Sequence, residues 1–136
     1  MNRLLISTTA ILLIITPLYA QANANAISEL EAYYQLQGAA PFNAANGKAL
    51  WEKEVVDAKT GKNRNCSNCH SSDLTKQGKH SRTLKVIQPI APSVNTESLT
   101  KVKKIKKWFV RNCKGTFGRE CTVQEKGDIL AFLKNL

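Results

Sequence analysis

Cys66-Ser67-Asn68-Cys69-His70 lies near the middle of the 136-residue chain and carries its most specific chemical signal. Two cysteines three positions apart are followed at once by a histidine, which brings two thiols and an imidazole within one turn of chain. Three kinds of site use related spacings: a covalent haem-attachment site, a thioredoxin-like thiol pair, and a zinc site that would need His80 as a further ligand. Neither of the last two requires a histidine directly after the second cysteine, and the sequence contains no second C-x-x-C pair. The pentapeptide therefore predicts the attachment of one haem c.

Each reactive residue of the motif has a predicted role. The thiols of Cys66 and Cys69 add to the two vinyl groups of one haem, and the imidazole of His70 stands close enough to bind the iron as its fifth ligand. These three residues are the predicted cofactor-binding residues, and His70 is a predicted iron ligand.

The N-terminal residues 1–26 have the features of a secretory signal peptide. A short basic start precedes a mostly apolar stretch at residues 4–19, and small residues in A-x-A settings follow it. An uncleaved membrane anchor is the alternative, but the apolar stretch is short for a span and contains Pro17. We expect cleavage near residues 20–26, export to a bacterial periplasm, and a single soluble haem domain at residues 27–136.

The chain is strongly basic, with 20 lysines and arginines against 10 acidic residues and a formal net charge of +10. Such a charge suits an acidic protein partner or an anionic membrane surface. Nucleic acid is the other familiar partner of a basic protein, but export from the cytoplasm argues against it. Part of the charge is a lysine cluster between Lys101 and Lys107, and a solvated helix face is the favoured interpretation of that cluster over a dedicated docking patch.

Hydrophobic periodicity predicts an all-α domain. Apolar residues at three- and four-residue intervals from Leu99 to Phe109 indicate an amphipathic helix. Thr122-Val-Gln-Glu125 forms a capping box at the start of the last helix. Prolines between these helices and the haem motif exclude a regular helix there and leave a brief extended piece at residues 84–87. The predicted helices span residues 27–36, residues 43–54, residues 96–98 to 113, and residue 122 to the end of the chain.

Gly47 with Trp51 before the haem motif, and Asp128-Ile-Leu-Ala-Phe132-Leu-Lys after it, resemble the pattern of class I cytochromes c. The resemblance implies an all-α, class I cytochrome c-like fold around one covalent haem, in which the first and last helices cross at a glycine and an aromatic ring. The sequence differs from the class I pattern in two ways. The segment between Trp51 and Cys66 is much longer than usual, which implies an inserted loop before the motif. No methionine remains to bind the iron, because Met1 is the only one.

Four further stretches lie in the second half of the sequence: Gly78-Lys-His80, Ala91-Pro-Ser-Val-Asn95, Lys107-Trp-Phe-Val-Arg-Asn112-Cys113, and Gly118-Arg-Glu-Cys121-Thr-Val-Gln-Glu-Lys-Gly127-Asp128. Together they resemble the sphaeroides haem protein family, which consists of monohaem, oxygen-binding cytochromes c. In that family an asparagine binds the ferric iron opposite the histidine and leaves on reduction. Asn112 matches that asparagine best, and Asn95 is the alternative.

The residues themselves leave the sixth iron ligand open. Asn112 lies seven positions after Ile105 and three after Phe109, on the apolar stripe of its predicted helix. An amide on that stripe needs a partner when it is buried. The competing interpretation is a helix-terminal asparagine that bonds the last carbonyls. With the family resemblance added, Asn112 is the predicted iron ligand opposite His70.

His80 and the lysines are the remaining candidates for the sixth ligand. His80 follows His70 by ten positions in a polar stretch, and its Gly-Lys-His context resembles a structural histidine of the class I family. That histidine clamps a loop by hydrogen bonds to the backbone, and we assign His80 the same role. Ligation by one of the many lysines stays open.

A disulfide near the asparagine is also characteristic of the sphaeroides haem protein family. Cys113 and Cys121 remain once the haem takes its two thiols, and in an oxidising compartment they are expected to pair. The bridge would contribute about 2–3 kcal/mol in the chain-entropy model and would fix the helix end beside Asn112.

The resemblance implies a protein that binds a diatomic gas, O₂, CO or NO, after reduction displaces Asn112, and that exchanges single electrons with another cytochrome. A simple electron carrier is the main alternative, which the missing methionine disfavours. A haem enzyme that reduces oxygen, peroxide or a nitrogen oxide is the third, and no distal acid–base pair stands out for it. We therefore expect an electron-transfer and ligand-binding protein rather than a dedicated enzyme.

Overall fold

The structure, a computed structural model, describes residues 18–58 and 60–136. This part of the chain forms five helices and four two-residue strands, which confirms the predicted all-α class. The elements in chain order are α1 (Leu18–Leu36), α2 (Ala44–Glu52), β1 (Val55–Val56), β2 (Asn63–Arg64), α3 (Ser67–His70), β3 (Gly78–Lys79), β4 (Val86–Ile87), α4 (Val102–Phe117) and α5 (Val123–Leu133).

Helix α5 is the central element of the fold. It packs against α1 and α2, and α1 also packs against α4. Because apolar side chains leave α5 on more than one side, it contributes to two hydrophobic cores. The N-terminal core consists of Ala26, Ile27, Leu30, Tyr34, Ile105 and Leu130. The motif-side core consists of Trp51, Leu74, Ile129 and Leu133. Phe109 packs against both.

Helices α2 and α5 cross at the predicted glycine and aromatic ring. A Cβ atom placed on Gly47 would lie 1.9 Å from the carbonyl oxygen of Asp128, so only glycine allows this approach. One turn further, the ring centroids of Trp51 and Phe132 are 6.3 Å apart in an edge-on arrangement. The buried Asp128 carboxylate also accepts a hydrogen bond of 2.8 Å from the backbone N–H of Asn43, the N-cap of α2. The crossing predicted from the class I pattern is therefore present.

The predicted insertion before the haem motif forms a short antiparallel hairpin. Strand β1 pairs with β2, with Val55 opposite Arg64 and Val56 opposite Asn63. The backbone N–H of Asp57 donates to the carbonyl of Lys62 at 2.9 Å and closes the turn. The hairpin brings the chain directly to Cys66.

A second hairpin lies against the haem motif. Strand β3 pairs with β4, with Gly78 opposite Ile87. A Cβ atom on Gly78 would lie 1.9 Å from the carbonyl oxygen of Cys69, so the glycine lets this strand pass directly over α3. The paired residues of β4 fall within the predicted extended piece at residues 84–87, but Leu84 has a positive φ of 57° and is not part of the strand.

Helix α4 begins and ends later than the sequence predicts. Its predicted start at residues 96–98 is wrong, because the Ser98 hydroxyl donates to the carbonyl of Ile90 at 2.6 Å and Leu99 has a left-handed φ of 55°. The predicted end at Cys113 is also wrong. The helix continues to Phe117 and stops where Gly118 takes a left-handed φ of 70°.

The start of helix α5 agrees with the sequence. The capping box is confirmed: Thr122 Oγ1 accepts from the N–H of Glu125 at 3.1 Å, and Glu125 Oε2 accepts from the N–H of Thr122 at 2.8 Å. Arg119 binds both carboxylate oxygens of Glu125, at 2.7 and 2.6 Å. This pairing lowers the pKa of Glu125 and holds the chain that leads into α5.

Helix α1 begins well before the predicted start at residue 27. Most of the predicted signal peptide, residues 1–17, lies outside the described residues. Within them, Ala26 and Ile27 are already buried in the N-terminal core. Among the residues that the structure describes, no helix combines the length and apolarity needed to cross a membrane.

Substitution of Gly47 by alanine tests the α2–α5 crossing. The added methyl group would push against the Asp128 carbonyl, so we expect Gly47→Ala to lower the free energy of unfolding by about 2–4 kcal/mol. Gly115→Ala, in α4, is the matched control, because a Cβ there meets nothing within 4 Å. That change should be neutral or raise stability by up to ~1 kcal/mol. Urea unfolding of the haem-loaded protein measures both, and equal stability of the two variants would contradict the crossing.

Candidate functional site

The C-x-x-C-H residues form a single helical turn. Cys66 caps α3, and its carbonyl accepts from the N–H groups of Cys69 and His70 at 3.3 and 3.1 Å. This turn places the three side chains at positions i, i+3 and i+4, which share one face of a helix. Asn65 and Asn68 each accept a hydrogen bond from the other's backbone N–H, at 3.1 and 2.6 Å. The turn is thus fixed by its own neighbours.

Trp51 joins this turn to the α2–α5 crossing. Its carbonyl accepts from the N–H of Cys66 at 3.2 Å. Its indole ring lies 5.3 Å from the imidazole of His70, centroid to centroid, with the two planes tilted by 54°. The sequence predicts Trp51 only as part of the helix crossing, and its contact with His70 is not predicted. The fifteen-position gap between Trp51 and Cys66 gave no signal that the chain folds back here.

The imidazole of His70 has the properties of a metal ligand. Burial lowers its pKa, because charging a ring away from water is unfavourable, and this favours the neutral form that binds iron. Its Nδ1 atom is buried and, within the described part of the chain, has no hydrogen-bond partner, and the same is true of Trp51 Nε1. Buried polar atoms normally have partners. Two such atoms on adjoining rings therefore fit a site that holds a cofactor.

The two thiols of the motif fit covalent attachment better than redox exchange or zinc binding. Burial raises the pKa of the Cys66 thiol to about 11, and the neighbouring Cys69 adds to the rise. A thioredoxin-like pair needs the opposite shift, since its thiolate is the reactive form. Among the described residues, no group of three or more His, Cys, Asp and Glu side chains is placed to hold a metal ion. His80 therefore does not complete a zinc cage with the motif.

Asn112 lies inside α4 rather than at its end. It follows Phe109 by three positions, so the two residues are neighbours on one side of α4, and Phe109 packs against both cores. Its side chain is exposed, and nothing in the described part of the chain hydrogen-bonds to its amide. The competing helix-end role does not fit Asn112, because α4 continues for five more residues to Phe117. The amide of Asn112 is thus available to a ligand.

Two of the other candidates for the sixth ligand, Asn95 and His80, are engaged with the backbone. Asn95 Nδ2 donates to the carbonyl of Pro89 at 2.6 Å, and its Oδ1 accepts from the N–H of Glu97 at 3.3 Å. His80 Nδ1 accepts from the N–H groups of Arg82 and Thr83 at 3.3 and 3.2 Å. These bonds agree with the loop-clamping role predicted for His80.

The disulfide expected from the sequence is present. Cys113 and Cys121 are joined, with their Cα atoms 5.6 Å apart, and both are buried. Lys114 and Glu120 form an ion pair of 3.0 Å across the same loop. Because Cys113 directly follows Asn112, these links hold the helix end beside the available amide.

Most of this chain is similar in sequence to known proteins. Residues 37–133 match a family described as a domain of unknown function, DUF1924. The cytochrome c-type protein SHP of Cereibacter sphaeroides is 38% identical over 106 residues, which cover 78% of this chain and 81% of that protein.

Two solved structures share the fold. One is oxidized SHP, described as an oxygen binding cytochrome c, with a TM-score of 0.72, 36% identity, and coverage of 81% of this chain and 96% of that chain. The other is oxidized cytochrome c'' from Methylophilus methylotrophus, with a TM-score of 0.70, 24% identity, and coverage of 84% and 94%. Because its sequence identity is low, the similarity to cytochrome c'' supports the fold alone.

The assignment of Cys66 and Cys69 as the attachment residues is tested by mass spectrometry of the denatured protein. We expect the wild-type chain to carry the mass of one haem, and the Cys66→Ala/Cys69→Ala variant to carry none, because no thioether can form. Cys113→Ala/Cys121→Ala is the matched control and should keep its haem. Extraction of the wild-type haem into acidic acetone would contradict the assignment.

Proposed function

The chain belongs to the family of the cytochrome c-type protein SHP and so carries covalent haem c, and from this premise we propose that it is an exported protein that reversibly binds a diatomic gas. The gas would be O₂, CO or NO, and binding would follow reduction and the departure of Asn112. The observation that carries the proposal is the available amide of Asn112, one turn after the core-packed Phe109 on α4. The description of SHP as an oxygen binding cytochrome c supports it.

Three residues would hold the cofactor from one side. Cys66 and Cys69 would each form a thioether as their S–H adds across a vinyl group, and a ring nitrogen of His70 would bind the iron. When bound, the haem supplies a one-electron redox centre with a position for an exchangeable ligand. Trp51 packs on the His70 ring and so restricts its rotation, which keeps this ligand in place while the opposite one changes.

Asn112 would act from the opposite side as a ligand controlled by the oxidation state. The neutral amide oxygen is a hard donor, which matches ferric better than the softer ferrous iron. Asn112 would therefore bind in the oxidised protein and leave on reduction, whereas the nitrogen of His70 stays. After leaving, the amide nitrogen of Asn112 would be free to donate a hydrogen bond to the gas ligand. Phe109, one turn earlier on α4, would shield the same space from water.

The two other functions have less support from the residues. A simple electron carrier usually keeps a strong sixth ligand, but the only methionine is Met1, and both Asn95 and His80 are engaged with backbone groups. A haem enzyme that reduces oxygen, peroxide or a nitrogen oxide would benefit from an acid–base group beside Asn112. One turn before and after Asn112 on α4 lie Trp108, Phe109, Gly115 and Thr116, and none of them carries an acid–base group.

A periplasmic location and a signal peptide at residues 1–26 are part of the proposal. The basic start, the apolar stretch and the A-x-A settings support them. Ala26 and Ile27 are buried in the N-terminal core, so cleavage after Ala22 or Ala24 would leave this core intact. The haem domain would then begin a few residues before position 27.

Asn112→Ala tests the central part of the proposal. Loss of the amide should give a ferric haem that is water-ligated or five-coordinate, because the remaining side chain cannot bind iron. The reduced variant should still bind CO, since His70 and the thioethers are unchanged. Optical and EPR spectra of the ferric protein, with CO titration of the reduced protein, measure both effects.

The control for this test is Asn95→Ala, which removes the other candidate amide and should leave the ferric spectrum unchanged. A wild-type ferric spectrum in Asn112→Ala would show that Asn112 is not the ligand.

The electron donor is proposed to be another cytochrome that approaches through an acidic surface. Lys103, Lys104 and Lys107 are exposed on α4 beside Trp108, which is 45% exposed. Charges of one sign concentrated on a helix accelerate association with a partner of opposite charge. The reduction rate should therefore fall as salt rises, because charges farther apart than about 10 Å are screened at ~0.1 M ionic strength.

Charge reversal distinguishes a docking patch on α4 from general attraction between the net charge of the protein and an acidic partner. Lys103→Glu/Lys107→Glu should slow reduction by an acidic donor protein by about ten-fold at low salt. Lys53→Glu/Lys85→Glu changes the net charge equally at exposed sites outside α4 and is the matched control. Equal effects of the two pairs would leave the α4 lysines as a solvated face.

A further inference from the structure

Arg64 connects the haem-attachment segment to the end of α4. It lies in strand β2, two positions before Cys66. Its Nη1 atom donates a hydrogen bond to the carbonyl of Gly115, and its Nη2 atom forms an ion pair with the carboxylate of Asp57. The Asp57 side chain is only 8% exposed, against 38% for Arg64. One guanidinium thus links the hairpin to α4, and we call these two contacts the Arg64 strap.

The position of Gly115 makes the strap favourable. Helix α4 ends at Phe117, so the Gly115 carbonyl belongs to the last turn, where no further helical N–H group is available to bond it. A guanidinium at that point satisfies the carbonyl and complements the negative end of the helix dipole. Gly115 also follows Asn112 by three positions, and residues so spaced share one face of a helix. The strap therefore holds the turn of α4 that carries Asn112.

The other links at this helix end run in a different direction. The Cys113–Cys121 disulfide and the Lys114–Glu120 ion pair tie α4 to the loop that follows it. The Arg64 strap instead ties α4 to the segment that carries Cys66 and His70. A movement of Asn112 toward or away from the motif is therefore opposed by the strap more directly than by the disulfide.

We propose that Arg64 is a positioning residue for Asn112, holding its turn of α4 against the haem-attachment segment and thereby setting how readily the amide leaves and returns. This inference rests on the proposed function, because it concerns the ligand role of Asn112. Arginine suits the task because its planar fork reaches two partners at once, whereas a lysine ammonium is a single point charge. Asp57 orients the fork from its nearly buried position.

Arg64→Met tests the inference in the haem-loaded protein, because methionine keeps an apolar stem and removes both contacts. The ferric optical and EPR spectra report the fraction of protein with Asn112 bound. Loss of a charge-assisted hydrogen bond should raise the ratio of Asn112-free to Asn112-bound ferric protein about five-fold. After rapid reduction in the presence of CO, binding should be faster by a similar factor. Arg82→Met, an exposed arginine in the His80 loop, is the matched control and should leave both measurements unchanged.

Two milder variants keep the test valid if Arg64→Met fails to fold or to take up haem. Arg64→Lys retains the charge but cannot serve both partners, and Asp57→Asn keeps the size of the partner but removes its charge. Both should shift the ferric spectrum in the same direction by smaller amounts. Unchanged ferric spectra in both variants would overturn the inference.

The double variant Arg64→Met/Asn112→Ala distinguishes the positioning role of Arg64 from the ligand role of Asn112. If Arg64 acts through Asn112, Arg64→Met should have no further effect on the ferric spectrum or the CO rate in the Asn112→Ala protein. An equal effect in both backgrounds would overturn the positioning role while leaving the ligand role of Asn112 intact. A wild-type ferric spectrum in Asn112→Ala alone would instead overturn the proposed function, and the inference with it.

Discussion

The close approach of α2 to α5 at Gly47 fixes the geometry from which the site is built. Helix α2 cannot slide along α5, because its backbone at Gly47 lies against the Asp128 carbonyl. The hydrogen bond from the N–H of Asn43 to the Asp128 carboxylate fixes the rotation of α2. Trp51, one turn later, is held against Phe132 and reaches the motif with both its ring and its carbonyl. The orientation of the His70 imidazole therefore follows from a contact between two helix backbones rather than from the motif alone.

Local signals in the sequence predicted much of this arrangement. The motif, the Gly47 crossing and the Thr122 capping box each depend on residues with specific backbone or chemical requirements, and each has the expected structure. The predicted start of α4 was too early because the apolar periodicity begins at Leu99. The left-handed backbone of Leu99 and the hydrogen bond of Ser98 prevent a helix there, so α4 begins only at Val102. The contacts of Arg64 could not be predicted from hydrophobic periodicity, because they depend on how the β1–β2 hairpin is placed against α4, which is distant in sequence. The ligand roles of His70 and Asn112 remain predictions.

The two sides of the site differ in how firmly the chain holds them. On the His70 side, buried rings and a backbone crossing leave few ways to move without opening the core. On the Asn112 side, the helix end is held by a disulfide, an exposed ion pair and one half-exposed arginine. Exposed polar contacts are weaker than packed apolar ones and open more readily. This asymmetry suits one permanent ligand and one that exchanges.

The crossing of α2 with α5 also bears on the order in which the chain is assembled. These helices lie about 70 positions apart in the sequence, and Lys134, directly after α5, binds Glu31 of α1 at 2.7 Å. Contacts between such distant segments form slowly, because a long loop must close before they can be made. Cys66 packs against a core that includes Ile129 and Leu133 of α5, so its thiol is most accessible before that helix docks. A topology in which α5 packs on both α1 and α2 thus leaves the attachment motif accessible until the C-terminal helix has docked.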